Sequence, residues 1–404
     1  MTTGLLFARG WIGSVRTRNR IVRAGTSETM AGPDGDVTAE LVALYEELAR
    51  GGVGLIVTGH LYVEPRGRYA VHQTGIHDDS LLPGLRRLTG AVHAHGARIF
   101  AQLAHAGSQS RVPGERPLAP SPVPNALTGR DVGEAGEAEI EDALEAFARA
   151  ASRAAEAGFD GVHVHGANGY LLSEFASPLA NRRTDRWGGT PEARDRFAVE
   201  VVRRVRRALP DRAVTMKIGF VDAVPEAGGL EVDETVRRAG VLVAEGLDAV
   251  EVSCNVMRYP TDSARQYVAV GTRRAAADLL VHRLGKPPTE EGYFRPWAEA
   301  LRRRVDTPIV LVGGLRRRST MERLLASGTC DFVALARPFI REPRLVQRLE
   351  AGKELADCTS CNLCLTHEGY HALRCWRVPR RRLLQHALFR FGGGFDSGIP
   401  IKRR

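Results

Sequence analysis

The chain of 404 residues carries 57 Lys and Arg against 47 Asp and Glu, a formal charge of +10 at neutral pH, with 43% hydrophobic residues. That apolar content can bury a large core, and the length suits one α/β barrel of about 250 residues or more with an appendage. No run approaches the roughly 20 apolar residues that span a bilayer and Met1 to Arg20 lacks the apolar stretch of a secretory signal, so a soluble, cytoplasmic protein with no membrane partner is expected.

In chain order, short β-branched runs alternate with amphipathic stretches, the pattern of parallel strands joined by helical crossovers. Strands are expected at Arg20–Gly25, Gly54–Val63, Arg98–Leu103, Gly161–Gly166, Val214–Gly219, Ala249–Ser253, Pro308–Gly314 and Phe332–Arg337. Helices are expected at Ala39–Gly51, Leu81–Ala94, Glu139–Ala157, Ala193–Leu209, Val232–Glu245, Tyr293–Val305, Ser319–Ser327 and Glu342–Ala351. Eight strands each followed by a helix predict an α/β fold, a (β/α)8 TIM barrel over residues 1–351, with a cysteine-cluster extension and basic tail over 352–404. An open doubly wound sheet is disfavoured because no Gly-x-Gly-x-x-Gly opens a helix after the first strand. Long loops, Ala104 to Gly136 and Cys254 to Gly292, are expected to shape a substrate pocket at the barrel mouth. The lysines are only Lys217, Lys286, Lys353 and Lys402, and most arginines sit beside Glu and Asp on helical stretches, so the charge reads as solvated helix faces and not a nucleic-acid surface. The tail, with Arg374, Arg377, Arg380, Arg381, Arg382, Arg390, Lys402, Arg403 and Arg404, is the exception; it is either solvated or touches an acidic partner.

Directly after the fourth strand comes His165-Gly-Ala-Asn168-Gly-Tyr170, followed by Asn181-Arg-Arg-Thr-Asp185-Arg-Trp-Gly-Gly189. A barrel places its chemistry at such a strand end. His165 and Asn168 carry N–H groups that can hold a carbonyl or phenolate oxygen, and Tyr170 offers a phenolic proton to a neighbouring carbon, which suits reduction of an activated double bond. The segment resembles the active-site stretch of the old yellow enzyme family of FMN-dependent NAD(P)H:flavin oxidoreductases. The resemblance covers roughly residues 5 to 375 and implies FMN as cofactor and NAD(P)H as reductant.

The resemblance assigns further residues. Gln102 matches the glutamine that bonds the flavin pyrimidine edge. Ser27 stands where the family has Thr or Cys, within a first-strand motif that departs from the usual Pro-Met/Leu-Thr/Cys. Lys217 matches the Arg or Lys beside flavin N1, where a cation offsets the charge that reduction brings. Gly313 and Gly314 after the seventh strand, with Ala336 and Arg337 after the eighth, fill the loops in which barrels usually bind phosphate; Arg337 can pair with a phosphate bidentately. Gly59 is expected to pack under the ring, with His60 an alternative pocket residue. His163 reads as a satisfied core histidine, and Cys254 as either a pocket residue or a small buried hydrophobe.

Cys358, Cys361, Cys364 and Cys375 lie beyond the barrel, and thiols at intervals of three favour iron–sulfur ligation, with structural zinc or an empty site as alternatives. The run resembles the 4Fe-4S segment of the branch holding 2,4-dienoyl-CoA reductase and trimethylamine dehydrogenase. Those relatives continue into large nucleotide-binding domains, which Trp376 to Arg404 is too short to hold. A cluster here is therefore expected to exchange electrons with a separate protein or to be structural. The amine dehydrogenases carry Tyr and His in place of His165 and Asn168, which argues against amine oxidation. The expectation is an ene-reductase-like enzyme acting on an α,β-unsaturated carbonyl; the alternative is an FMN and iron–sulfur electron-transfer subunit. Substrate, direction, NADH or NADPH and any homo-oligomer stay open.

Overall fold

The computed structural model describes residues 4–112, 116–124, 131–222, 228–256, 291–379 and 381–391. A two-stranded hairpin, β1 (Gly10–Ile12) and β2 (Val15–Thr17), precedes eight parallel strands closed into a barrel. These are β3 (Ile21–Arg23), β4 (Leu55–Tyr62), β5 (Arg98–Ala104), β8 (Gly161–Gly166), β9 (Ala213–Gly219), β10 (Ala249–Ser253), β11 (Ile309–Val312) and β12 (Phe332–Leu335), with β12 pairing back onto β3. The short pair β6 (Leu118–Ala119) and β7 (Gly133–Glu134) lies in the long third loop. The expected barrel is observed, and each expected strand is present. Much of the second long loop, 257–290, lies outside the described residues, as do Arg380 and the end of the basic tail, 392–404.

Helices α1 (Ala39–Arg50), α2 (Leu82–His93), α3 (Glu137–Glu156), α5 (Pro191–Ala208), α6 (Val232–Ala244), α7 (Arg295–Arg302), α8 (Arg318–Ala326) and α10 (Leu345–Glu350) follow the barrel strands, while the short α4 (Leu171–Ala176) and α9 (Arg337–Arg341) begin at the mouth. Local chemistry sets several starts: Thr38 and Thr190 accept the backbone N–H of Leu41 and Ala193, caps worth about 1 kcal/mol each. Strands buried on both faces read as continuous apolar runs, and the layer between strands and helices forms the main core. A second cluster fills the barrel interior, where Ile12 and Val15 of the hairpin meet Val22, Leu55, Val57, Phe100 and Phe332. The hairpin thus plugs the N-terminal end, leaving the C-terminal strand ends for a site.

The pairing of β4 with β5 is irregular: Val57 aligns with Phe100 but His60 aligns with Gln102, three residues against two. Such a bulge flips the side-chain parity of everything beyond it. His60 consequently turns into the mouth.

The extension begins after α10, forms the short α11 (Leu363–Thr366) and ends in α12 (Arg381–Phe391). It is seated on the barrel: Leu373 N–H donates to Glu28 O at 2.8 Å and Gly369 N–H to Thr29 Oγ1 at 3.2 Å. Among the described residues no helix is long and apolar enough to cross a membrane.

Candidate active site

One cavity of about 220 Å³ opens among the C-terminal strand ends, and it brings together Ser27, Gln102, His165, Asn168, Tyr170, Lys217, Gly313, Gly314, Ala336 and Arg337. Of the expected barrel-site residues, Gly59 is the exception. It sits in the bulge, where its ladderless N–H donates to Glu28 Oε1 and Tyr45 Oη, both at 2.9 Å, and a Cβ there would strike the Glu28 carboxylate. The bulge displaces the expected position by one residue, and His60 lines the cavity instead.

His165 and Asn168 have defined donors. His165 Nδ1 accepts the Ala167 N–H at 3.4 Å, which leaves the ring hydrogen on Nε2. Burial first, then the charge of Lys217, pushes the His165 imidazole well below its usual value, so it is a neutral donor. Asn168 adopts a left-handed backbone (φ 62°), and its Oδ1 accepts from Ser253 Oγ at 3.1 Å, turning the amide NH2 to the other side. Tyr170 packs against His165 with ring centroids 4.7 Å apart, and burial raises its phenol well above the ordinary value. The Asn181 to Gly189 stretch lies behind this wall, not in it: Asn181 Nδ2 bonds Phe175 O and Trp187 O, and Arg183 bonds Asp185, Pro120 O and Ala135 O.

The floor carries a buried ion pair. Lys217 Nζ lies 2.7 Å from Glu251 Oε1, and His163 Nε2 lies 3.4 Å from the other oxygen of that carboxylate. Burial opposes ionisation of Glu251, but Lys217 and His163 outweigh it and hold the carboxyl at about 2. His163 Nδ1 also bonds Thr215 Oγ1 at 2.8 Å, while its buried Nε2 faces the Glu251 carboxylate without a hydrogen bond among the described residues. Cys254 is a buried wall residue outside the cavity, its Sγ 3.6 Å from Val221 O.

Do these groups fit FMN? The buried Gln102 Nε2 has no hydrogen-bond partner among the described residues, as expected of an amide reserved for a ligand. Gly25 is required beside it, since a Cβ would come within 2.6 Å of that amide. Gly313 (φ 128°) and Gly314 (φ 73°) present a side-chain-free loop at the opposite end, beside Ala336. The donor set fits the family cofactor. Arg337 lines the cavity, and its Nη1 also bonds Asn362 Oδ1 at 2.6 Å and Ser360 O at 3.4 Å in the extension. Ser27 lines the cavity as expected, together with Glu368, a carboxylate of the extension that sequence reading did not reveal and whose ionised form the Ser27 hydroxyl favours.

Cys358, Cys361, Cys364 and Cys375 line a second cavity of about 390 Å³, and none is in a disulfide. Ser360 N–H donates to Cys358 Sγ at 3.4 Å, and Arg341 Nη1 lies 3.7 Å from Cys375 Sγ. Burial pushes the Cys358 and Cys364 thiols up, with the other sulfurs adding to the rise. Among the described residues, however, no three His, Cys, Asp or Glu side chains are arranged to hold a metal ion. Cys364, Arg337 and Ile340 line both cavities.

The model of the NADH:flavin oxidoreductase / NADH oxidase family matches residues 6–356. The chain is 34% identical to an NADH oxidase of Thermoanaerobacter brockii over 91% of its own length but only 54% of that protein, so it spans about half of that relative. It is 36% identical to a 4,4'-dithiodibutanoate disulfide reductase of Rhodococcus erythropolis, covering 92% of this chain and 95% of the relative. Among solved structures, morphinone reductase in complex with tetrahydroNAD superposes with a TM-score of 0.69 at 27% identity, covering 87% of this chain and 91% of that one. With a barrel whose strand ends present the residues the motif implied, the chain belongs to the NADH:flavin oxidoreductase family, of which the old yellow enzymes are members.

Proposed function

We propose that this protein is a cytoplasmic FMN-dependent NAD(P)H oxidoreductase that reduces the activated C=C bond of an α,β-unsaturated carbonyl substrate. One observation carries the reading: His165 Nε2–H, the Asn168 amide and the Tyr170 hydroxyl line one cavity with the unpartnered Gln102 amide and Lys217. Gln102, Lys217, Gly313, Gly314 and Ala336 would hold FMN, which when bound supplies the hydride for the β-carbon. His165 and Asn168 hold the substrate carbonyl oxygen and stabilise the enolate charge that develops there. Tyr170 protonates the α-carbon, a role for which a neutral buried phenol is suited.

The test separates two half-reactions. Tyr170→Phe should leave reduction by NAD(P)H nearly unchanged and slow re-oxidation by cyclohexenone on the order of 10²-fold, the usual size of general acid catalysis. Re-oxidation at the wild-type rate would sink the reading.

A second reading is favoured by the shared wall between the cavities. Cys364 lines both, and a 4Fe-4S cluster on Cys358, Cys361, Cys364 and Cys375 would lie next to the flavin pocket and exchange electrons with a separate protein. The thiols as placed would have to re-aim to ligate it. Iron, sulfide and zinc analysis of anaerobically purified protein decides between cluster, zinc and neither.

A further inference from the structure

We infer that His60 is a positioning residue for Tyr170: it donates a hydrogen bond from Nε2 to the phenolic oxygen, which turns the Tyr170 proton into the cavity and receives the phenolate left after transfer. This rests on the proton-donor reading of Tyr170 above. The inference follows from backbone groups. Tyr69 N–H lies 2.6 Å from Gln73 Oε1 and His60 C=O lies 2.9 Å from Gln73 Nε2. Rotating that amide by half a turn would set N–H against N–H and oxygen against oxygen, so its orientation is fixed.

Gln73 Nε2 also lies 2.8 Å from His60 Nδ1, and an amide NH2 can only donate. Nδ1 is therefore the acceptor, and the hydrogen of the neutral ring is on Nε2. Nε2 lies 3.3 Å from Tyr170 Oη, the only polar partner of that hydroxyl among the described residues. With Nε2–H donating to it, the phenol must point its own hydrogen elsewhere. The surroundings keep the ring neutral: burial, with a smaller push from the Lys217 charge, lowers His60 to about 4. Edge contacts to Tyr69 and Tyr170, at 5.6 and 5.5 Å between centroids, hold the imidazole in place.

When the O–H bond of Tyr170 breaks, its hydrogen forms the new C–H bond and the electron pair stays on the phenolate oxygen. His60 donates to that anion without giving up its proton. A hydrogen bond to a charged group stabilises more than one to a neutral group, so His60 favours the transferred state.

Two measurements test this. In histidine-labelled holoenzyme, nitrogen NMR should show His60, assigned by its disappearance in His60→Gln, protonated at Nε2 and bare at Nδ1; the opposite tautomer overturns the proposal and leaves the Tyr170 reading intact. In stopped flow, His60→Phe should slow re-oxidation by cyclohexenone about tenfold and more than it slows reduction by NAD(P)H, and His60→Gln, which restores an N–H near the same place, should recover most of the re-oxidation rate. In a Tyr170→Phe background the His60 changes should have no further effect. Equal slowing in both backgrounds means that His60 only supports the wall and overturns the proposal; a Tyr170→Phe variant of wild-type rate fails the proton-donor reading, whatever the tautomer.

Discussion

Ser27, at the exit of the first barrel strand, lines the same cavity as Glu368, which the cysteine-bearing extension projects into it, and the Ser27 hydroxyl favours the ionised form of that carboxyl. Burial raises the Glu368 carboxyl, opposed by Arg111, and its charge in turn lifts the phenols of Tyr69 and Tyr170. A carboxylate at this place repels an anion held by His165 and Asn168. Glu368→Gln should therefore tighten phenol binding to the oxidised flavoprotein about three- to tenfold, with the gain largest at high pH where the wild-type carboxyl has lost its proton. Titration of the phenol-induced absorbance at several pH values checks it; equal affinity throughout would show that Glu368 does not sense the ligand.

Gly59 owes its position to Glu28. That carboxylate takes the bulge N–H, pairs with the buried Arg23 at 2.9 Å and accepts from Tyr45. Removing it leaves a buried guanidinium unpaired. Glu28→Ala should cost about 3–5 kcal/mol in urea unfolding, and Glu28→Gln distinctly less because an acceptor for Gly59 remains. A loss below about 1 kcal/mol for Glu28→Ala would contradict the role of the network.

The barrel was legible because short β-branched runs alternate with helical stretches: Gly161–Gly166 and Ala249–Ser253 have the bounds expected. Other ends moved for local reasons. β11 stops at Val312 because Gly313 and Gly314 take positive φ, and α7 begins at Arg295 because Gly292 and Tyr293 N–H groups are spent on Gly313 O. His165, Asn168, Tyr170 and Lys217 were legible since each occupies a strand end or the turn after it. Glu251 was hidden within an apolar run, Glu368 in the cysteine segment, and the His60 parity in a bulge; only packing between distant segments reveals what these residues do.

Lys217 and Glu251 make the acid-side behaviour readable. Glu251 is held at about 2, below its ordinary 4.5, so its contribution is complete above that ordinary value and is lost as pH falls toward 2. In Lys217→Met the carboxylate has lost its main counter-charge and burial dominates, raising its pKa. The sign then inverts: the variant should be destabilised most at neutral and alkaline pH, by about 3–5 kcal/mol, and should recover as the medium is acidified. Unfolding curves between pH 4 and 8 decide it, and parallel curves for the two proteins would refute the pairing.

The two cavities predict different consequences for two cysteines. Cys364 lines both, whereas Cys375 lines only the cysteine cavity. Each Cys→Ser change should lower iron and sulfide content if the cluster is present. Cys364→Ser alone should also shift the flavin absorbance and weaken FMN retention. Identical flavin spectra in the two variants would show that the shared wall has no influence on the pocket.

His165 and Asn168 provide the most direct test of the oxygen-binding wall. The His165 hydrogen is on Nε2 because Nδ1 accepts from Ala167, and the Asn168 amide is oriented by Ser253, so the donors are set before any ligand arrives. Preset donors cost little reorganisation and are worth about 1.5–3 kcal/mol each against a charged oxygen. A phenol should therefore bind the oxidised holoprotein as its anion and produce a long-wavelength charge-transfer band. His165→Ala and Asn168→Ala should each weaken that binding roughly tenfold or more, and the double variant should abolish the band while FMN stays bound. Ser253→Ala, which removes the hydroxyl that bonds Asn168 Oδ1, should weaken the band by less than Asn168→Ala does. If FMN is lost together with the band, the pair supports the cofactor, not the substrate oxygen, and the carbonyl-binding assignment falls.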